Sequence, residues 1–250
     1  MDEKWAFVGK KEKHCDPADP ADARWGDNWD HLAFDAEHRL VLAMVPGKRT
    51  APKVQELVQE VKRRLGGRVP RLITSDEYPA YRQAVLDAYS TQVVPPWTGK
   101  PGRPKGAQQV PLPDLKYATV HKTRQKGRVV KVALEVVFGA VAAVMAALAA
   151  SAVSRQINTA FIERSNGTDR GRNSRKARKT YGFSKDWDIH EAVGYFTLYS
   201  YNFCWRVRTL RVRGDDGHWQ DRTPAMAAGL TDHVWSLAEW LALPAVRHTA

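Results

Sequence analysis

Three carboxylates, Asp2, Asp76 and Glu163, stand at positions from which a folded chain could bring acids together. Asp2 opens an extended first segment, Asp76 follows a short apolar run, and Glu163 lies in a segment with helical character. Taken singly, an acid at a strand end or on a helix is usually a solvated surface group. Their chemistry therefore depends on whether the fold makes them converge.

Convergence of these acids would create a site for divalent metal ions. A cluster of like charges is unfavourable without a cation, and ligand sets made only of oxygen suit Mg²⁺ or Mn²⁺. Two such ions about 4 Å apart stabilise the attacking and leaving oxygens of an in-line phosphoryl displacement. The sequence therefore predicts Asp2, Asp76 and Glu163 as catalytic residues and as ligands of two ions, in a reaction that cuts and transfers a nucleic-acid strand.

The elements that would position the acids follow a regular order. Alternating sequence predicts three strands, at the start of the chain and over residues 29–35 and 40–45. An amphipathic helix over residues 50–65, a strand over residues 71–74 and a helix beginning near Tyr81 come next. This βββαβα order predicts an α/β fold with a mixed sheet flanked by helices. Its first strand would be central, with the fourth strand beside it and the helix of Glu163 crossing the same end.

An uncharged stretch over residues 136–154 contains eight alanines among its nineteen residues. Alanine contributes little transfer free energy, and Gly139 interrupts the run. We therefore expect a buried helix rather than a membrane span, continuing as a long helix towards Glu163.

The charge balance indicates a polyanionic partner. The chain carries 39 Lys and Arg against 27 Asp and Glu, a net charge of +12 and a pI near 9.8. Its two cysteines are too few for a disulfide framework, which suits a reducing compartment. A Pro- and Gly-rich segment around Arg103 is either a flexible linker or a hook for the minor groove of DNA. The residues predicted to bind DNA are Arg103, Lys105, Arg164, Asn166, Arg170, Arg172, Arg175, Lys176, Arg178, Lys179 and Lys185.

Several blocks together resemble a known family. MDEKWAFVGKK, ITSDEYPAY and INTAFIERSNGTDRGRNSRKARKTYGFSK contain the three acids in order, and YNFC and TPAMAAGLTDHVW follow them. These blocks resemble the InsB-like DDE transposases of the first-described family of short bacterial insertion sequences. The block around Glu163 is the most specific of them.

This resemblance implies an RNase H-like catalytic domain over residues 1–200, with a basic insertion at 93–135 before the last catalytic helix and a C-terminal tail over 201–250. It implies a DNA transposase that cuts and joins double-stranded DNA at terminal inverted repeats and in the target, as a homo-oligomer on DNA. The expected location is the cytoplasm, at the bacterial nucleoid, with no membrane association.

The sequence also departs from the family pattern. Asp169 and Gly171 stand where Leu and Gln are usual, and the chain starts one residue before Asp2, without the family's N-terminal DNA-binding segment. A non-catalytic DNA-binding remnant of a truncated transposase is therefore the alternative function. An RNase H-like nuclease acting on another nucleic acid is a third.

Overall fold

The computed structural model describes residues 1–96 and 106–243 as a mixed α/β protein with several small sheets. Its regular strands and α-helices begin in the order βββαβα. The chain divides into two compact units. The first comprises residues 1–3, 30–33 and 45–160, and the second comprises residues 4–29, 34–44 and the chain from Phe161 onwards.

Three early strands, β1 (Asp2–Val8), β2 (Gly26–Asp35) and β3 (Leu40–Gly47), form one sheet with β2 in the middle. Every second side chain of β1 is buried from Lys4 onwards, which is the alternation that predicted the strand. Strand β2 begins three residues earlier than residue 29, its predicted start. The sequence did not predict residues 26–28 as strand, because the side chain buried there is that of the polar Asn28.

The next elements, α1 (Ala51–Arg64), β4 (Ile73–Asp76) and α2 (Ala80–Ala88), match the predicted helix, strand and helix. Helix α1 buries four aliphatic side chains at helical spacing and is followed by Gly66, whose φ of 62° favours glycine. Strand β4 lies two residues later than predicted, so Asp76 is its last residue rather than a residue beyond it.

Strand β4 pairs with a long basic hairpin. Short strands β5 (Ser90–Val93) and β6 (Gln108–Pro111) pair antiparallel with each other. Then β7 (Tyr117–Gln125) pairs in parallel with β4 and antiparallel with β8 (Arg128–Phe138), giving the sheet order β4-β7-β8. Residues 117–125 and 128–135, which lie within the insertion that the resemblance implies, therefore belong to strands of this sheet.

The prediction of one long buried helix after residue 136 is wrong. Residues 136–138 complete β8, and Gly139, with φ 90°, ends the strand. Helix α3 (Val141–Ala149) follows and buries only Val144 and Leu148, and the separate helix α4 (Ala160–Arg172) carries Glu163. Alanine-rich sequence favours helix but has too little apolar surface to require burial. Across the described residues, no helix has the length and apolar character needed to cross a membrane.

The second unit contains α4, α5 (Trp187–Cys204), the short ladder β9 (Val212–Arg213) and β10 (Trp219–Gln220), and helices α6 (Pro224–Ala227) and α7 (Leu237–Ala242). Helix α5 continues through residue 201, where the tail was predicted to begin. The amide of Asn202 both accepts from the backbone N–H of Val41 and donates to its carbonyl, each at 2.9 Å. The YNFC block therefore fastens the end of α5 to β3.

Candidate functional site

Two of the three predicted acids meet in the first unit. Asp2 begins β1 and Asp76 ends β4, and the Met1 nitrogen donates a 2.6 Å hydrogen bond to the Thr74 carbonyl. Asp2, Glu3 and Asp76 each offer a carboxylate oxygen, and these oxygens lie within 4.8 Å of one another. We call this group the acidic cluster.

Glu3 is the buried member of the acidic cluster. Its side chain is 1% exposed, its Oε2 accepts from Arg49, and its buried Oε1 has no hydrogen-bond partner. Burial, followed by the charge of Asp76, raises the pKa of Glu3. Tyr81 is also buried, and burial followed by the charge of Glu3 raises its pKa. Acids this close, with an unsatisfied buried oxygen, fit a divalent cation.

Arg49 supplies positive charge to the acidic cluster. Its Nη2 lies 3.0 Å from Glu3 Oε2 and 3.9 Å from Asp76 Oδ2, and its guanidinium stacks 4.2 Å from the ring centre of Tyr78. The Tyr78 backbone N–H in turn donates to Asp76 Oδ1 at 3.2 Å. Arg49 therefore offsets part of the cluster's negative charge and competes with any metal ion for it.

Sequence reasoning missed both Glu3 and Arg49. Adjacent side chains of a strand normally face opposite sides of a sheet, so the alternation of β1 argued against pairing Glu3 with Asp2. The signal available in the sequence was the pair of consecutive acids, Asp2 and Glu3, at the start of the strand. Strand pairing constrains the first residue least, so its side chain can lie beside that of the next residue. For Arg49, which lies two residues beyond the end of β3, the sequence carried no signal.

Replacing Arg49 tests this competition. We expect Arg49→Gln to raise the affinity for Mn²⁺ about tenfold, because a unit positive charge no longer repels a divalent ion a few ångströms away. Isothermal titration calorimetry with Mn²⁺ measures the change. Arg63→Gln, which removes an arginine bound to Glu60 on α1, is the matched control and should leave the affinity unchanged. Unchanged or weaker Mn²⁺ binding by Arg49→Gln would contradict the assigned role.

The third predicted acid, Glu163, lies in the second unit. It is exposed on the first turn of α4. An acid there interacts favourably with the positive end of the helix dipole, so its placement alone does not require a ligand role. Its meeting with Asp2 and Asp76 stays a prediction.

The predicted DNA-binding residues fall into three groups by exposure. Asn166 is 4% and Lys176 is 2% exposed, so these two side chains are buried, and their contact with DNA stays a prediction. Arg172 is partly buried: it donates to the Thr197 carbonyl at 3.2 Å and stacks 4.6 Å from the Trp205 ring centre, and burial lowers its pKa. The exposed members are Arg164, Arg178, Lys179 and Lys185, with Arg170 and Arg175 partly exposed. Arg103 and Lys105 lie outside the described residues.

A buried ion cluster explains why Lys176 is not at the surface. Asp169 Oδ2 pairs with the ammonium of Lys4 and lies 3.9 Å from that of Lys176. All three side chains are at most 2% exposed. The cluster joins β1, α4 and the segment after α4, and it gives Asp169 a structural role that a leucine could not fill.

A second buried network holds the end of the basic segment, which we define as residues 164–185. His190 on α5 bonds through Nδ1 to Ser184 Oγ at 2.7 Å and through Nε2 to Asn28 Nδ2 at 2.9 Å. Because the Asn28 amide nitrogen donates to Nε2, the His190 proton lies on Nδ1 and is donated to Ser184. Gly9 N–H also donates to the Ser184 carbonyl at 2.8 Å. The FSK block thus anchors one end of the basic segment to β1 while Arg178 stays exposed.

Comparisons with known proteins do not assign a family. No protein-family model matches the chain, and no curated protein or solved structure is similar to it at a significant level. The transposase resemblance therefore stays a prediction, and the functional argument rests on the geometry.

Proposed function

We propose that this chain is the catalytic domain of a DNA transposase and cleaves and joins DNA strands with divalent metal ions. One observation carries the proposal: the carboxylates of Asp2 and Asp76 come together beside the buried, unsatisfied oxygen of Glu3. Asp2 and Asp76 are 74 residues apart along the chain, so the fold brings them together. A group of carboxylate oxygens is the kind of ligand set that a hard divalent cation requires.

In the proposed site, Asp2, Asp76 and Glu163 hold two Mg²⁺ or Mn²⁺ ions. Bound there, the metal would stabilise the charge on the attacking and leaving oxygens of phosphoryl transfer. An RNase H-like sheet would set β1 beside β4. The structure has β1 in the sheet β1-β2-β3 and β4 in the sheet β4-β7-β8, and a hydrogen bond links Met1, the residue before β1, to Thr74 of β4. In the RNase H-like arrangement, α4 would bring Glu163 to the two aspartates.

The exposed cations of the second unit would bind the DNA backbone. Arg164 follows Glu163 directly, and Arg178, Lys179 and Lys185 lie beyond the buried ion cluster. Lys and Arg side chains of this kind contact phosphates without reading sequence. The proposed partners are the double-stranded terminal inverted repeats and the target DNA, bound by a homo-oligomer at the bacterial nucleoid.

The direct test is nicking of supercoiled plasmid DNA by the purified chain. We expect relaxed product with Mg²⁺ or Mn²⁺, none with EDTA, and 3′-hydroxyl ends at the nicks. DNA binding without metal-dependent nicking would refute the enzyme and favour the non-catalytic remnant instead.

The salt dependence of DNA binding tests the proposed contact surface. Removing one phosphate contact lowers the slope of log K against log salt by about one. Arg178→Ala should therefore reduce the slope by about one, as measured by fluorescence anisotropy of a labelled duplex over a KCl series. Arg64→Ala, which removes an exposed arginine of α1, is the control and should leave it unchanged. Equal slopes for Arg178→Ala and the parent would remove Arg178 from the interface.

A further inference from the structure

Among the residues that the structure describes, strand β8 is the last strand of its sheet and exposes several apolar side chains. Val130, Val132 and Leu134 are 53%, 54% and 49% exposed, and β7 is its neighbour in the sheet order β4-β7-β8. Long edge strands of soluble proteins are normally protected by charges, prolines or a covering element, since an exposed edge is a template for pairing with another chain. Between Val129 and Phe138, β8 has only two charged residues, Lys131 and Glu135.

The regular part of β8 is short and well defined. Its pairing with β7 shifts register after Thr123 and before Ala118, so the residues between the shifts are Lys131 to Val136. Within this segment Lys131 and Glu135 project from one face of the strand and Val132 and Leu134 from the other. Both charged side chains are exposed.

Symmetry restricts how two copies of this segment can pair. Antiparallel pairing about a two-fold axis perpendicular to the sheet keeps each side chain on its own face. Two residues opposite each other therefore lie on the same face, and their residue numbers are both odd or both even. An axis through Ala133 sets Lys131 of each copy opposite Glu135 of the other and Val132 opposite Leu134. An axis through Val132 or Leu134 would instead set Glu135 opposite an uncharged residue.

We infer that β8 is a self-association surface whose partner is a second copy of this chain, paired antiparallel about Ala133. Opposed charges and opposed aliphatic side chains both stabilise antiparallel pairs, and each occurs twice in a two-fold dimer. The product is a continuous sheet in which the two β8 strands are central. This inference uses only β8 and does not depend on the proposed function.

A charge swap tests the pairing in the absence of DNA and metal. Sedimentation velocity of the full chain should show a monomer–dimer equilibrium. Lys131→Glu and Glu135→Lys should each weaken it about tenfold, since each places like charges opposite one another twice. The double variant should restore the parental dissociation constant. Lys126→Glu, the same charge change at the β7–β8 turn, is the control and should have no effect.

Hydrogen exchange locates the interface independently. Backbone amides within residues 131–136 should become better protected as the protein concentration rises, while those of α1 should not change. A chain that stays monomeric to about 100 µM would overturn the inference. So would a dimer that tolerates both single variants, or single variants that weaken only DNA binding, which would make the hairpin a DNA contact.

Discussion

Asp76→Asn should reduce metal-dependent nicking of plasmid DNA at least about a hundredfold. Asparagine keeps the shape of the side chain but removes the charge with which Asp76 faces Asp2 and Glu3. A neutral amide oxygen is a weaker ligand for a hard cation, so metal affinity and cleavage should fall together while DNA binding persists.

The control for this prediction is Asp87→Asn on α2. Asp87 accepts hydrogen bonds from Gln83 and Gln109 and belongs to the same unit, but it lies outside the acidic cluster. Its removal should leave the nicking rate within about twofold of the parent. Parental nicking by Asp76→Asn at saturating Mg²⁺, with Mn²⁺ affinity also unchanged, would exclude Asp76 as a metal ligand.

We expect Glu163→Gln to reduce metal-dependent nicking as well, but for a different reason. Its loss of nicking requires that Glu163 reach the metal ions proposed to bind at Asp2 and Asp76, so the variant tests the convergence of the three acids. We expect a loss similar to that of Asp76→Asn, with plasmid binding unchanged. A variant that nicks normally would leave the reaction to the acidic cluster alone.

Local pattern was enough to predict the elements that carry the first two acids. Each element has a local signal: α1 has aliphatic residues at helical spacing, β1 alternates, and β4 is a short apolar run. The spacing of apolar residues and the residues that bound each run are enough to predict these elements. Hydrophobic periodicity fails where a polar residue is buried or an apolar residue is exposed. Asn28 is buried in β2 and Val141 is 63% exposed on α3, so both contradict the rule that apolar residues lie inside.

The basic segment shows a different limit of sequence reasoning. A run of Lys and Arg is usually a solvated face, and nothing local distinguishes Lys176 from its exposed neighbour Arg178. What separates them is a carboxylate: Lys176 lies by Asp169, which pairs with Lys4, 165 residues earlier. An interaction over that separation follows from tertiary structure and cannot be read from a window of sequence.

Asp169→Asn should consequently cause the largest loss of stability among the conservative substitutions considered. It leaves two buried ammonium groups, Lys4 and Lys176, without the carboxylate they share. Breaking a buried ion pair by removing one partner costs about 3–5 kcal/mol, because the remaining charge stays desolvated. For a chain of this size that loss lowers the melting temperature by roughly 6–20 °C.

Asp188→Asn provides the matched comparison. Asp188 pairs with Arg24 at 2.6 Å, but the two side chains are 70% and 62% exposed, so solvent screens the pair and its loss should change stability by less than about 1 kcal/mol. Differential scanning calorimetry of the two variants beside the parent separates the cases. A melting temperature for Asp169→Asn as high as that of Asp188→Asn would mean that the buried cluster contributes little to folding. The position would then tolerate a neutral residue.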